Sequence, residues 1–326
     1  MPKRSPAATV RPLRLADLAL LASVWATGKP PFGRRLRNEA QTWERAGLEE
    51  PGFRLLESSL KQWLPLADDR QMWIAARGLR ACALASARRR SSPSAWEMDY
   101  LIASQGEEAL CLTLLEQLSQ SLGRAGVEKV FLRLRAESSL LETIRQAGFF
   151  PYLKEHLLAI DRAPQGLEPA KLPLRERTLA DAFPLFQLYN AAVPAAVRRN
   201  EAASLREWVG VQEKGHYQHL IVPGAMGPIA WLRLSKSDRA GRFSLLAERR
   251  REAPLDYLLA AALSYLADRR PILCLVPEYQ KSVARRLDEL GFRAVAEYVV
   301  SVNRLVRPVE EAVPVAEGVR QAYPVS

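Results

Sequence analysis

Apolar residues along the chain form two successive series of short alternating runs and longer helical stretches. In the first series, strand-like runs come before a segment in which leucines recur at intervals of three and four residues. The elements it predicts are a helix over 15–25, strands over 72–76, 81–86 and 96–102, a helix over 108–123, a strand over 130–134, a helix over 140–147, and strands over 149–153 and 156–160. Strands that first meander and are then interleaved with helices predict an α/β (α+β) fold, with a mixed, mostly antiparallel sheet flanked by helices.

The second series repeats this order. Its predicted elements are a helix around Phe183–Tyr189, strands over 219–222, 228–234 and 243–247, a helix over 255–266, a strand over 272–276, a helix over 282–290, and strands over 292–296 and 298–302. Three short matches also recur in order: Pro-Leu-Arg at 12–14 and 173–175, Arg-Asn-Glu-Ala at 37–40 and 199–202, and Gly-Phe at 148–149 and 291–292. The pattern predicts a divergent internal duplication, with two superposable domains that each form their own sheet.

Two composition shifts mark the expected domain boundaries. Residues 161–171 are rich in proline, glycine and charge, which is typical of a linker between domains. Residues 307–326 contain prolines without a clear period and read as a tail. The predicted organisation is therefore an N-terminal domain over 1–160, a linker over 161–171, a C-terminal domain over 172–306 and a tail over 307–326.

Composition excludes several classes of protein. The chain has 326 residues, 48% of them hydrophobic and 25% charged, which is typical of a globular protein of two ordinary domains. No apolar run approaches the ~18 residues of a membrane-spanning helix, and no apolar stretch follows the basic start as in a signal peptide. Cys82, Cys111 and Cys274 lie far apart in apolar segments, where we expect reduced packing residues. A cytoplasmic location without a membrane partner is the resulting expectation.

The formal charge of +11 leaves two interpretations open. A basic surface attracts phosphates of nucleic acids or nucleotide cofactors, yet here the lysines and arginines are spread along the whole chain. We favour a solvated basic surface. Nucleic acid is a possible partner that the pattern does not favour, and the oligomeric state is not indicated.

The order of elements resembles the GNAT (Gcn5-related N-acetyltransferase) superfamily, and the resemblance covers nearly the whole chain twice. It is clearest at Glu142–Ile160 and Arg285–Asn303, where a short helix, Gly-Phe and a strand follow one another. The glycine can adopt a positive φ and end the helix, which leaves the phenylalanine to enter the core. The resemblance implies a tandem GNAT protein with two diverged repeats.

The resemblance also implies a binding slot for acetyl-CoA or another acyl-CoA between the fourth and fifth strands. Family members hold the pyrophosphate on backbone amides at the start of the following helix. In the first repeat the corresponding loop contains Gln105, Gly106 and Ala109. Glu107 and Glu108 beside them either oppose a pyrophosphate or stabilise the first turn of the helix.

In the second repeat the corresponding loop carries three consecutive arginines. Arg249, Arg250 and Arg251 could contact phosphates through their side chains, or form a solvated basic loop. Ala253 falls at the first glycine of the family motif, and Leu255 replaces its second small residue. If only one repeat binds acyl-CoA, these charges favour the second.

Catalytic groups depart from the family pattern. Many family enzymes use a tyrosine as a general acid four residues before the final Gly-Phe, and these positions are Ile144 and Leu287 here. Glu97 and Asp99, on one face of a predicted strand, are the candidate general bases, or else exposed carboxylates. The three histidines have no spacing that indicates a metal site.

The sequence thus predicts an acyl-CoA-dependent N-acyltransferase that acts on a small-molecule or peptide amine, with slow turnover because the tyrosines are missing. Two alternatives stay open. The altered motifs are also compatible with a non-catalytic binding or scaffold protein. The basic charge is compatible with an aminoacyl-tRNA-dependent transferase, which is also built from paired units of this type.

Overall fold

The computed structural model describes residues 8–14, 17, 38–47, 69–78, 80–104, 106–164, 173–248 and 255–305. The elements of the first half are β1 (Ala8–Pro12), β2 (Arg70–Arg77), β3 (Arg80–Arg89), β4 (Ala95–Ala103), α1 (Glu108–Arg124), β5 (Lys129–Arg135), α2 (Leu141–Gln146) and β6 (Phe150–Ile160). Those of the second half are β7 (Arg175–Glu176), α3 (Ala182–Ala192), α4 (Ala195–Glu201), α5 (Leu205–Gly210), β8 (Gln218–Gly224), β9 (Gly227–Lys236), β10 (Gly241–Ala247), α6 (Leu255–Tyr265), β11 (Ile272–Pro277), α7 (Lys281–Glu289) and β12 (Arg293–Arg304). The predicted fold class, a mixed and mostly antiparallel sheet flanked by helices, is confirmed. The predicted helix over 15–25 lies outside the described residues, apart from Asp17.

The strands form one continuous sheet of twelve, in the order β1-β2-β3-β4-β5-β12-β6-β11-β10-β9-β8-β7. The expectation of two separate sheets is therefore wrong. The physical reason is an exchange of closing strands: β12 pairs with β5 of the first half, and β6 pairs with β11 of the second half. These two exchanged strands also pair with each other and join the halves at the centre. The boundaries 1–160 and 172–306 stay a prediction about the chain, but they do not divide the sheet.

Each closing segment is one long strand, where two short strands were predicted. β6 continues from Phe150 to Ile160, and β12 from Arg293 to Arg304. Neither segment contains a proline or glycine at the position of the predicted break, so each strand continues through it. The pairing of β12 with β6 shifts its register at two places instead.

The two Gly-Phe turns have the predicted geometry. Gly148 and Gly291 have φ of 87° and 89°, and each ends a short helix. The amides of Phe149 and Phe292 donate to the carbonyls of Ile144 and Leu287 at 3.0 Å, which closes the last helical turn. Both phenylalanine rings are 1% exposed, so the turn delivers them into the core as expected.

A salt bridge common to the two halves corrects the alignment of their starts. Arg11 Nη2 lies 2.7 Å from Asp17 Oδ1, and Arg175 Nη2 lies 2.6 Å from Asp181 Oδ1. Equivalent residues are thus 164 apart (175 − 11), whereas matching the two Pro-Leu-Arg sequences gave 161. In each half the same aspartate also accepts a hydrogen bond from the backbone amide three residues before it, Arg14 N for Asp17 and Thr178 N for Asp181. Because these contacts are equivalent, they determine which residues correspond, and the match of the two Pro-Leu-Arg sequences is wrong.

The helices pack against the sheet and bury three clusters of apolar side chains, one in each half and one shared by both halves. α1 packs its predicted stripe, including Leu114, Leu118 and Leu122, against the first half. α6 and α7 cover the second half. Around α3, α4 and α5, residues of both halves share one cluster, in which Trp208 lies with Phe131 and Val300. None of the described helices is both long and apolar enough to span a membrane.

Within the described residues, Cys82, Cys111 and Cys274 form no disulfide and are buried, as predicted for packing residues. Burial, followed by the nearby Glu108 carboxylate, raises the pKa of the Cys111 thiol to about 12. Burial also raises the pKa of Cys274. Both side chains stay as neutral thiols at physiological pH and are poor nucleophiles.

Candidate functional site

The sheet opens at two places, where its parallel strands separate. β4 and β5 pair only over Ala95–Glu97 and Lys129–Phe131, and β10 and β11 pair only over Gly241–Phe243 and Ile272–Cys274. Beyond these pairs each couple of strands diverges and leaves backbone groups without a partner strand. We call these openings the first and second splay.

The first splay is occupied by the chain itself. The Asn38 side chain donates to Asp99 O and accepts from Leu101 N, both at 2.9 Å. Glu39 N donates to Leu101 O on the same strand, and Gln41 N donates to Arg133 O on β5. The edges that a ligand would use are therefore already bonded, because this segment bridges the two strands.

The start of α1 is also internally satisfied. Gly106, which has φ of 83°, donates its amide to Glu108 Oε1 at 3.3 Å, and Glu107 N donates to Ser104 O at 3.1 Å. The Glu107 carboxylate pairs with Arg77 at 3.1 Å. Of the other predicted phosphate contacts here, Ala109 is exposed and Gln105 lies outside the described residues. Both glutamates thus stabilise the helix start and its surroundings, and use donors that a pyrophosphate would need.

The second splay opens into a cavity of about 190 Å³. Ser244, Leu245 and Leu246 of β10 line it together with Leu275 and Pro277 of β11, just beyond the last paired residues. Glu248 N bonds to Ile229 O on the side of β9. Because the backbone groups of successive residues in a strand point to opposite sides, those of Leu245 and Ala247 point away from β9 and into the splay. The Gln280 side chain donates to Leu245 O at 2.9 Å.

The predicted phosphate loop of the second half is mostly outside the described residues. Arg249, Arg250, Arg251 and Ala253 fall there. Leu255 begins α6 and packs partly buried against the core of the second half. Its side chain therefore has a packing role at the helix start.

Both halves build the cavity. The first half contributes Arg90 from the β3–β4 turn, Arg133 from β5, and Tyr152 with Glu155 from the exchanged strand β6. The turn before β4 is bonded directly to the second half, since Ser92 N donates to Gly210 O at 3.0 Å. A cavity with these walls exists only when the two halves are joined.

Arginines surround one buried glutamate in the cavity wall. Glu213 lies 3.6 Å from Arg90, 3.5 Å from Arg133 and 3.4 Å from Arg233. Burial opposes ionisation of Glu213, but the attraction of Arg133, Arg233 and Arg90 outweighs it and lowers the pKa of this carboxyl. Arg133 also bonds to Glu155 at 2.6 Å, so this wall is a connected ionic network.

The two predicted bases on β4 are paired with arginines. Glu97 is 4% exposed and accepts from Arg88 Nε at 2.6 Å and Arg90 Nε at 3.2 Å. Asp99 is fully buried and pairs with Arg70 at 2.7 Å. Neither side chain lines the cavity. Glu97 orients Arg90 toward the cavity wall, and an ion-pair role fits the contacts of both carboxylates.

A different carboxylate faces the cavity. Glu201, at the end of α4, accepts hydrogen bonds from Tyr152 Oη at 3.2 Å and Tyr189 Oη at 3.0 Å. Among the described residues, no arginine, lysine or histidine forms an ion pair with it. Burial raises the pKa of Glu201 more than these hydrogen bonds and the nearby Arg90 lower it. A carboxylate that binds a proton more readily than usual is suited to general base catalysis.

Glu201 belongs to the second copy of Arg-Asn-Glu-Ala, whose match with the first copy is not structural. Asn38 of the first copy bonds to β4, whereas its counterpart Asn200 donates to Ala196 O within α4. The tetrapeptide marked this segment in the sequence. The contact of Glu201 with Tyr152, 49 residues away, could not be inferred from the sequence.

His219→Gln should make the fold less sensitive to acid. Trp231, which lines the cavity, donates its Nε1–H to His219 Nδ1 at 3.2 Å. Burial, then the charges of Arg233 and Arg177, lower the pKa of His219 to about 4. An unfolded histidine titrates near ~6.5, so the folded state loses stability as pH falls from there toward the lowered pKa.

The measurement is urea unfolding of both proteins between these pH values. The loss of unfolding free energy on acidification should be smaller for His219→Gln than for the wild type. The exposed His216→Gln provides the control, with a pH profile like the wild type. Equal slopes for His219→Gln and the wild type would contradict the assignment.

No family model and no curated protein matches the chain, but solved structures do. A GCN5-related N-acetyltransferase from Sphaerobacter thermophilus is similar over 92% of this chain and 96% of its own, with a TM-score of 0.53 and 16% identity. A tandem GNAT protein from the clavulanic acid biosynthesis pathway is similar over 92% and 99%, with a TM-score of 0.52 and 14% identity. A putative acetyltransferase from Pyrococcus horikoshii covers 92% and 90%, with a TM-score of 0.52 and 11% identity. The chain therefore has the fold of the GCN5-related N-acetyltransferase superfamily.

Proposed function

We propose that the chain is an acyl-CoA-dependent N-acyltransferase with a single reaction centre, at the second splay. The observation that carries this proposal is the position of Glu201, a carboxylate without an ion-pair partner among the described residues, in the cavity that opens from the β10 edge. The fold is that of acetyltransferases, and the first half serves as a scaffold because the edges of its own splay are bonded by Asn38–Gln41.

The second splay has the groups that an acyl-CoA needs. The outward N–H of Leu245 and the outward N–H and C=O of Ala247 can pair with the amides of the pantetheine arm, as a strand edge pairs with an added peptide, while Leu245 O already accepts a bond from Gln280. Arg249, Arg250 and Arg251, which precede α6 in the sequence, provide positive charge for the phosphates. A bound acyl-CoA supplies an activated thioester carbonyl.

The remaining chemistry belongs to residues of the cavity. Glu201 accepts a proton from the bound ammonium group, and the neutral nitrogen then forms the new bond to the acyl carbon as the carbon–sulfur bond breaks. The second proton that the nitrogen loses passes to solvent water. Tyr152 and Tyr189 hold the carboxylate in place through their hydroxyl groups. Tyr279 follows β11 beside the splay and lines the same cavity, so we assign to it the protonation of the leaving thiolate.

Acetyl-CoA should raise the melting temperature of the protein, and Arg250→Glu should weaken its binding. A ligand that binds only the folded state stabilises it by mass action. The Glu107→Arg variant is the matched control in the first half, where we expect no gain or loss of affinity. Calorimetry on the three proteins, with tRNA and longer acyl-CoAs as further ligands, tests this. Equal losses in both variants, or no binding of any acyl-CoA, would refute the second splay as the binding slot.

Tyr279→Phe should slow thiol release by about 10²- to 10⁴-fold if its hydroxyl is the general acid. The result also tests the expectation of slow turnover, which rested on Ile144 and Leu287 at the family's tyrosine positions. Tyr257→Phe, on the exposed side of α6, is the control. An unchanged rate for Tyr279→Phe with active enzyme would remove this residue from the mechanism.

A further inference from the structure

Among the described residues, every charged side chain that lines the cavity has an ion-pair partner, except for one carboxylate. Four arginines and four glutamates are joined by successive ion pairs: Arg88, Arg90, Arg133 and Arg233 with Glu44, Glu97, Glu155 and Glu213. Glu201 is not a member of this network. An ionised Glu201 therefore lies in the cavity wall without an ion-pair partner among the described residues, and a single ammonium group would provide one.

Aromatic rings provide much of the remaining wall. Tyr152 and Tyr189 flank Glu201, and Trp208, whose ring centre lies 6.1 Å from that of Tyr189, lines the cavity with Trp231. Aromatic faces attract cations and pack well against apolar carbon chains. The same walls offer no unpaired cation to a negatively charged ligand, because the lining arginines of the described residues are already bonded to glutamates.

The size of the cavity limits the part of the acceptor that enters it. Its volume is about 190 Å³. An apolar cavity of ≈150 Å³ holds benzene, so this one holds a group of about six to ten non-hydrogen atoms. A folded macromolecule could present only a terminal group to it.

We infer that the acceptor is a small monocationic amine, and that the cavity discriminates against a carboxylate next to the reacting nitrogen. The inference rests on the proposed function of the cavity, and it names the class of amine. A carboxylate on the neighbouring carbon would lie close to Glu201 and Glu155 and would have to compete with them for arginines that are already paired.

Calorimetry on the full chain with matched amines tests this without requiring turnover. The first series is isobutylamine, valinamide and valine, and the second is butylamine, norvalinamide and norvaline. Each amide has the size of its amino acid but no negative charge. At about pH 6.5 the amines bind as ammonium ions. In at least one series we expect the amine and the amide to bind about tenfold or more tightly than the amino acid.

Glu201→Gln should reduce this discrimination, because the amide keeps the tyrosine contacts but not the charge. The exposed Glu116→Gln on α1 should leave it unchanged. Amino acids that bind as tightly as the amines would overturn the inference and assign Arg233 to the carboxylate. Amides that bind as weakly as the amino acids would show that size, and not charge, separates the amines from the amino acids, which would overturn the inference. The absence of binding by every amine would also overturn the inference. Selective binding without thiol release would contradict the proposed function alone.

Discussion

Glu201→Gln should lower the rate of thiol release from an acyl-CoA and an amine by about 10²- to 10⁴-fold, the typical contribution of a general base. Glutamine has nearly the same shape and can still accept a hydrogen bond from Tyr152 or Tyr189, so the walls of the cavity should stay in place. It cannot accept a proton from the amine. The loss should appear mainly in kcat, since the positioning of the acyl donor does not depend on this side chain.

The pH profile separates this role from a structural one. A general base works only when it is deprotonated, and burial raises the pKa of Glu201. Activity of the wild type should therefore fall with decreasing pH at a higher pH than for an ordinary glutamate, near ~4.3. Glu201→Gln should lack this acidic limb, whereas Glu116→Gln should keep both rate and profile. A variant at position 201 with wild-type kcat would show that another group, or water alone, takes the proton.

Local features of the fold were predictable because neighbouring residues determine them. Gly148 and Gly291 have positive φ since each ends a short helix, and the phenylalanine after each enters the core. The stripe on α1 likewise follows from its period. The strand exchange was not predictable in this way. β6 and β12 follow equivalent Gly-Phe turns, and nothing local to β5 specifies which of the two becomes its neighbour.

For the proposed site, the sequence indicated only a general location, which stays a prediction. The preference for the second splay agrees with the internal bonding of the first, which depends on Asn38, a residue about sixty positions away from its partners. Glu97 and Asp99 were selected because alternation placed two carboxylates on β4. Their arginine partners lie on β2, on β3 and in the turn after β3. The role proposed for Glu201 depends on hydrogen bonds from tyrosines on α3 and on the exchanged strand β6, contacts that exist only in the assembled sheet.

Neither half of the chain should fold to a stable monomer when it is produced alone. In a fragment of residues 1–164, β6 loses both of its neighbours, β11 and β12, and β5 loses β12. Arg90 and Arg133 keep their charges but lose Glu213, and breaking one buried ion pair costs about 3–5 kcal/mol. Against a total stability of about 5–15 kcal/mol for a typical protein, these losses exceed what one half can sustain.

Circular dichroism and thermal unfolding of fragments 1–164 and 173–326 test this, together with the same two fragments produced in one cell. The separate fragments should aggregate or unfold without a cooperative transition. The co-produced pair contains the same break in the chain, so it shows whether the break itself is harmful, and it should form a complex with a cooperative transition. Either fragment alone, soluble as a monomer with a transition like that of the whole chain, would mean that β6 can take the place of β12 beside β5. The exchanged strands would then be a feature of the joined chain that the individual halves do not require.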